Sequence, residues 1–110
     1  MTTFANTILQ PTTAASNSNS FTMRQDMTAI CVYCTGLQNT ESAKIQFKNP
    51  IDSLWYDLLV NSVVPTFNNT NNVINIAMWW GTFRVVKTIT AASVGVVVSG
   101  FYNFNQGNQS

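Results

Sequence analysis

Ala43-Lys44-Ile45-Gln46-Phe47-Lys48 decides the fold class. Ala43, Ile45 and Phe47 recur at every second position, and Lys44, Gln46 and Lys48 fill the places between. Successive side chains on a strand point to opposite faces, so this period turns one face to a core and the other to water. Asn49-Pro50 ends the run, because proline cannot donate to a ladder and restricts the residue before it.

The same period and punctuation recur along the chain. Phe21-Thr22-Met23-Arg24 alternates and is short. Residues 27–35 follow, with Ile30, Cys31, Val32 and Tyr33 apolar on both faces, and Gly36 closes them. Residues 54–60 read as a strand, with a short edge piece at Val63-Val64-Pro65. Residues 73–79 place Ile74, Ile76 and Met78 on one face and Asn75 on the other. Residues 82–89 and 94–102 complete the set, rich in β-branched and aromatic residues. Asp52 could instead cap a helical turn over Ser53–Asp57, but the β-branched density around it favours a strand. Turn clusters fall at Gln38–Thr40, Asn68–Asn72, Trp80-Gly81 and Thr90–Ser93; Asn tolerates left-handed backbone, so the Asn68–Asn72 run reads as a hairpin-like turn. Seven or eight short strands with short connections leave no room for crossover helices. The fold expected is an all-β antiparallel sandwich, immunoglobulin-like or jelly-roll-like. Its core should hold Ile45, Phe47, Ile74, Ile76, Phe83 and Val96.

Composition bounds the rest. The chain has 110 residues, enough for one domain with its own core, and 45% of them are hydrophobic. It has no histidine, two cysteines and 8% charged residues. Catalysis draws on groups of matched pKa, mostly His, Cys, Lys or paired carboxylates, and the supply here is thin, so no enzymatic activity is expected. A net charge of +1 with no Lys/Arg cluster argues against nucleic acid as a partner, and so low a charge favours association, hence a homo-oligomer. No apolar run approaches the ~18 residues of a membrane span. The opening residues lack the basic and apolar parts of a secretory signal, so synthesis in a cytosol is expected. The sequons at Asn68 and Asn108 carry no weight without a secretory route.

Three regions are expected: residues 1–19 as a flexible or partner-bound N-terminal arm, 20–104 as the sandwich, and 105–110 as a flexible tail. The arm is polar apart from Phe4, Ile8 and Leu9. It reads as a disordered terminus or as a strip that orders on a neighbouring subunit with those three as anchors. On that reading, its removal leaves the sandwich folded.

Four features could carry chemistry. Cys31-Val-Tyr-Cys34 has the spacing of a redox or metal motif. On a strand, however, residues three apart face opposite ways, and no further Cys or His exists to complete a zinc site. Inert reduced thiols are therefore expected, with no cofactor or metal. Trp55-Tyr56 and Trp79-Trp80 each place one aromatic on either face, so one of each pair is exposed; Trp55, Trp79 and Trp80 are candidate partner-binding residues. An exposed Trp serves the rim of the core, an interface or a sugar ring, and the shortage of acids favours the interface over the sugar. Asp52 and Asp57 are the only near pair for glycosidase chemistry, but both lie beside turns, where Asp is a common structural residue. The Asn68–Asn72 run is the fourth feature, already read as a turn.

The run Trp80-Gly81-Thr82-Phe83-Arg84-Val85-Val86-Lys87, followed by Ala92-Ser93-Val94-Gly95-Val96, resembles the C-terminal half of small virion proteins of tailed bacteriophages. Lys44-Ile45-Gln46-Phe47 followed by Trp55-Tyr56-Asp57 is similar to their central strands, and the resemblance covers roughly residues 20–103. It implies a small β-sandwich that decorates a capsid as a cement or decoration protein, its partners the major capsid protein or other virion proteins. The location implied is the virion, on the capsid surface, after synthesis in the host cytoplasm. A receptor-binding, fibre or tail module that recognises a host glycan is the alternative.

Overall fold

A computed structural model describes residues 2–23, 27–60, 62–77 and 81–102. Among these, ten strands and no helix form: β1 Thr2–Thr12, β2 Ser16–Asn17, β3 Phe21–Met23, β4 Met27–Thr35, β5 Ala43–Lys48, β6 Trp55–Asp57, β7 Thr66–Phe67, β8 Val73–Ala77, β9 Gly81–Lys87 and β10 Val94–Tyr102. The first sheet runs β1-β10-β4-β8 and the second β2-β9-β5-β6, with β3 also on β9 and β7 also on β5. Every pairing is antiparallel.

The second sheet is four ribs wide because its two edges are split. β2 covers Val86–Lys87 and β3 covers Gly81–Phe83 on one edge; β6 covers Gln46–Lys48 and β7 covers Ala43–Lys44 on the other. With each split edge counted as one rib, the two four-rib sheets have the orders 1-8-3-6 and 2-7-4-5, and the chain crosses between them at every step except from rib 4 to rib 5, which pair within the second sheet. That connectivity is a jelly roll, which decides between the two sandwich types expected.

The body follows the period-2 reading. Ile45, Phe83, Ile76 and Val96 are buried, and Phe47 and Ile74 also pack on the core but are half-buried. Val32, Cys34, Val85 and Phe67 close the centre with no measurable exposure. Phe21, Phe83 and Phe47 lie in one row across β3, β9 and β5, with ring centroids 5.7 and 5.6 Å apart. Gly36 ends β4 at φ 97°, and a Cβ there would lie 2.3 Å from the Ser93 carbonyl oxygen. Only glycine combines that backbone with that approach.

The N-terminal boundary near residue 20 is corrected. Residues 2–12 are not a separate arm; they form the edge rib β1, paired with β10 from Thr2↔Tyr102 to Thr12↔Val94. Register shifts between Thr7 and Leu9 and between Leu9 and Thr12 break the alternation, so that Ile8 and Leu9 both reach the core. Gly95 is buried against this rib, where an added Cβ would meet the Leu9 carbonyl oxygen and Pro11 Cγ at 3.1 Å.

The segment after β1 is stitched to both sheets. Lys87, only 2% exposed, donates from Nζ to the Ala14 carbonyl at 2.6 Å. Thr90 N–H donates to Thr13 O at 3.0 Å, Ser18 N–H to Val85 O at 2.8 Å, and Asn19 N–H to Ile8 O at 2.8 Å. The Ser18 hydroxyl accepts from Val85 N–H at 2.8 Å. Backbone bonds of this kind leave no trace in composition, which is why a polar stretch reads as an arm and folds as a rib.

The edge near residues 54–60 also differs from expectation. The strand is shortened to β6; beyond it Val60 N–H donates to Val63 O at 2.8 Å and Val63 N–H to Val60 O at 3.0 Å, and Ser62 has φ 66°. The chain then returns to β5 as β7.

Candidate functional site

Of the six candidate partner-binding residues, three belong to β1. Ile8 is 7% exposed and belongs to the protein's own core, and Phe4 and Leu9 pack against it. β1 uses these three residues to close the sandwich rather than carrying them on a free arm. Trp79 and Trp80 lie outside the described residues, as do Arg24, Asp26 and the tail at 105–110.

Trp55 is half-buried on β6, next to Lys48 of β5 in the register. The Arg84 guanidinium lies 4.4 Å from the centroid of its ring. Arg84 Nε and Nη2 donate to Gln46 Oε1 at 2.9 and 2.8 Å, and Gln46 Nε2 donates to Asp57 Oδ1 at 3.2 Å. Lys44 Nζ completes the row on Asp57 Oδ2 at 3.0 Å. This row crosses β9, β5 and β6 on the outward face and links each polar head to the next. The Lys44–Asp57 pair is well exposed, so it adds little stability.

The carboxylates are engaged locally. The Tyr56 hydroxyl donates to Asp52 Oδ2 at 2.5 Å, and Leu54 N–H donates to Asp52 Oδ1 at 2.9 Å. The Tyr56 hydroxyl, more than the Leu54 N–H, holds the Asp52 carboxyl below its ordinary range. Asp57 is held low first by the Lys44 ammonium and then by the Gln46 amide. Glu41 accepts from Ala91 N–H at 2.6 Å and Gln38 N–H at 2.8 Å, and those bonds, in that order, lower it too.

These three shifts fix the acid response. A carboxylate depressed in the folded state stabilises the fold above its unfolded pKa of about 4 and loses that contribution as pH falls through the folded value. With no histidine in the chain, no ordinary side chain titrates between about pH 5 and 8. The melting midpoint should therefore stay flat from neutral pH down to about pH 5 and fall below about pH 4. Glu41→Gln should flatten that acid limb; an unchanged limb would mean that the Glu41 bridge between the 38–41 and 90–93 turns contributes nothing.

The thiols separate as strand geometry requires. Cys31 is half-buried and donates from Sγ to Asn75 Oδ1 at 2.8 Å. Cys34 points into the core, where burial pushes its pKa up to about 11 despite Lys87 nearby. Among the described residues, no group of three or more His, Cys, Asp or Glu side chains could hold a metal ion. The Asn68–Asn72 turn is built as expected, with Asn68 Oδ1 accepting from Thr70 N–H, Thr70 Oγ1 and Asn71 N–H at 2.7–2.9 Å.

The surface feature that sequence reading missed is an apolar strip on the β6/β7 edge. Ile51 is 92% exposed and Val63 64%, and Leu54, Tyr56, Leu59 and Val60 are also exposed. Nine large hydrophobic residues are exposed among the described ones, and these six fall within thirteen consecutive residues. Exposed apolar residues gathered in this way mark contact surfaces. The signal was present as the apolar density from Leu54 to Val64, where only Asp57, Asn61 and Ser62 are polar, too much for a strand with a wet face. In the sequence that density reads instead as a strand over 54–60 with a short edge piece at Val63-Val64-Pro65. Two concavities border this sheet, of about 160 Å³ at Phe47, Lys48, Pro50, Gly81 and Thr82 and about 240 Å³ near Ser42, Thr66 and Val86. Both are smaller than an ordinary small-molecule site.

No protein-family model matches the chain, and no curated protein matches it. Among solved structures, the fold is similar to that of the SPBc2 prophage-derived protein YomS. The TM-score is 0.69, covering 89% of this chain and 91% of that one, at 12% sequence identity. At that identity the likeness is one of fold.

Proposed function

We propose that the chain is a phage capsid decoration or cement protein. It binds the outer surface of the major capsid shell as a homo-oligomer, alone or beside other virion proteins, and stabilises that shell. The observation that carries this reading is the apolar strip from Ile51 to Val63, exposed on β6 and the turns that flank it. A decoration protein works through such a lateral surface, and many weak copies on a repeating shell add up by avidity.

Two general points support it. Jelly rolls serve viral capsid and lectin domains, and the similar solved structure is of a prophage-derived protein. Fold alone does not set function, so the strip carries more weight than either. The proposed location is the virion surface after synthesis in the host cytoplasm, with no enzymatic role, cofactor, nucleic acid or membrane partner. The second reading is a receptor-binding or fibre module on a host glycan. It draws on the same fold, but Arg84 already lies over the Trp55 ring that would take the sugar.

Co-sedimentation with empty capsid shells tests the proposal. Leu59→Asp and Val63→Asp change exposed side chains and should leave the melting midpoint in place. Each should weaken shell binding roughly tenfold or more, since an apolar anchor is worth over about 1 kcal/mol. Binding unchanged in both variants would remove the strip from the function, and a full-length chain that never pellets with shells would remove the function itself.

A further inference from the structure

The two sheets differ in charge. β1, β4, β8 and β10 contain no Asp, Glu, Lys or Arg. Lys44, Lys48, Asp57, Arg84 and Lys87 all lie on strands of the second sheet, and Glu41 and Asp52 lie in the turns that lead into and follow its β5. The remaining two charged residues, Arg24 and Asp26, fall outside the described ones.

The outward face of the first sheet can be read from its register. One row across the sheet is Thr7, Val97, Tyr33 and Val73; the next is Ala5, Ser99, Cys31 and Asn75. Tyr33 is 39% and Val73 41% exposed, and Val97, Ser99 and Cys31 are half-buried. Strands apolar on both faces belong to sheets covered on both sides. β4 and β10 have that pattern, with Ile30-Cys31-Val32-Tyr33 and Val96-Val97-Val98, yet within one chain only the inner face is covered.

We infer that the outward face of the β1-β10-β4-β8 sheet packs against the same face of a second copy of this chain. Charge selects that occupant: a face with no charged side chain meets no like charge when it faces itself, whereas an oppositely charged partner would find nothing to pair with. Size agrees. At ~4.8 Å between strands and ~3.4 Å per residue, four strands of this length give a footprint on the order of 500 Å² before side-chain relief is counted. That approaches the ~800 Å² per partner of a standard specific interface. The contact is isologous, with Val97 and Tyr33 near its centre because β10 and β4 are the middle ribs. It leaves the Ile51–Val63 strip, on the other sheet's edge, free for a shell. The inference specifies the surface for the oligomer included in the proposed function, and its test uses no capsids, so the two can fail separately.

The test is sedimentation velocity of the full chain, with Val97→Lys and Tyr33→Glu as interface variants and Val63→Lys, in the connection between β6 and β7, as the control away from that face. The unmodified chain and Val63→Lys should sediment as dimers or larger, and the two interface variants as folded monomers. Alkylation of Cys31 supplies a second readout that needs no variant: it should be slow in concentrated protein and speed up at least tenfold on dilution. A monomeric unmodified chain overturns the inference. So does continued association of both interface variants, dissociation by Val63→Lys alone, or Cys31 alkylation independent of concentration.

Discussion

A chain lacking residues 1–12 should show no cooperative melting transition. Removing β1 strips the pairing partner from β10 along most of its length and takes Ile8 out of the core together with Phe4 and Leu9. Truncating a single buried aliphatic residue such as Ile8 to alanine costs about 2–5 kcal/mol, while a whole domain is held by only about 5–15 kcal/mol. The deletion removes that residue, two further packed ones and a ladder of backbone bonds, leaving the β10 groups unpaired beside an opened core. Calorimetry of the full and shortened chains checks this, and adding a peptide of residues 2–12 should restore the transition. A shortened chain that melts like the full one would return residues 1–12 to the status of an arm.

Phe83→Ala should be the most damaging single substitution in the second sheet, at about 3–5 kcal/mol. Phe83 is 1% exposed and lies between the rings of Phe21 and Phe47, so its loss leaves a cavity bordered by two rings that cannot both move in. Edge-to-face and offset contacts between such rings add about 0.5–1.5 kcal/mol beyond area burial. Denaturant unfolding with an unchanged slope and a lower midpoint would report the loss as stability alone. A change under about 1 kcal/mol would mean that the row of three rings does not hold the sheet to its neighbour. Lys44→Ala, three residues before Phe47 on β5 and on the opposite face, should by contrast be nearly silent.

What could be read from the sequence depended on how local its cause was. The β5 pattern, the CxxC residues on opposite faces and the Asn68 turn each follow from one strand or one turn, and each appears as read. β1 did not, because two register shifts break its period and its partner lies some ninety residues away. Lys87 follows the period of β9 onto the face of Phe83 and Val85, and it is buried where the chain turns from one sheet to the other. Residues 54–64 supplied apolar density without saying whether a partner lies inside the fold or outside it. That distinction depends on which rib is an edge, and edges are set by the order of ribs across the whole sheet.

The most direct test of the decoration reading is the number of copies of this chain in purified particles from cells that carry its gene, counted against the major capsid protein. A shell-bound decoration protein should be present in hundreds of copies per particle, in fixed proportion to the capsid subunits. A handful of copies would place the chain on a tail or fibre, and its absence from particles would contradict the virion assignment altogether.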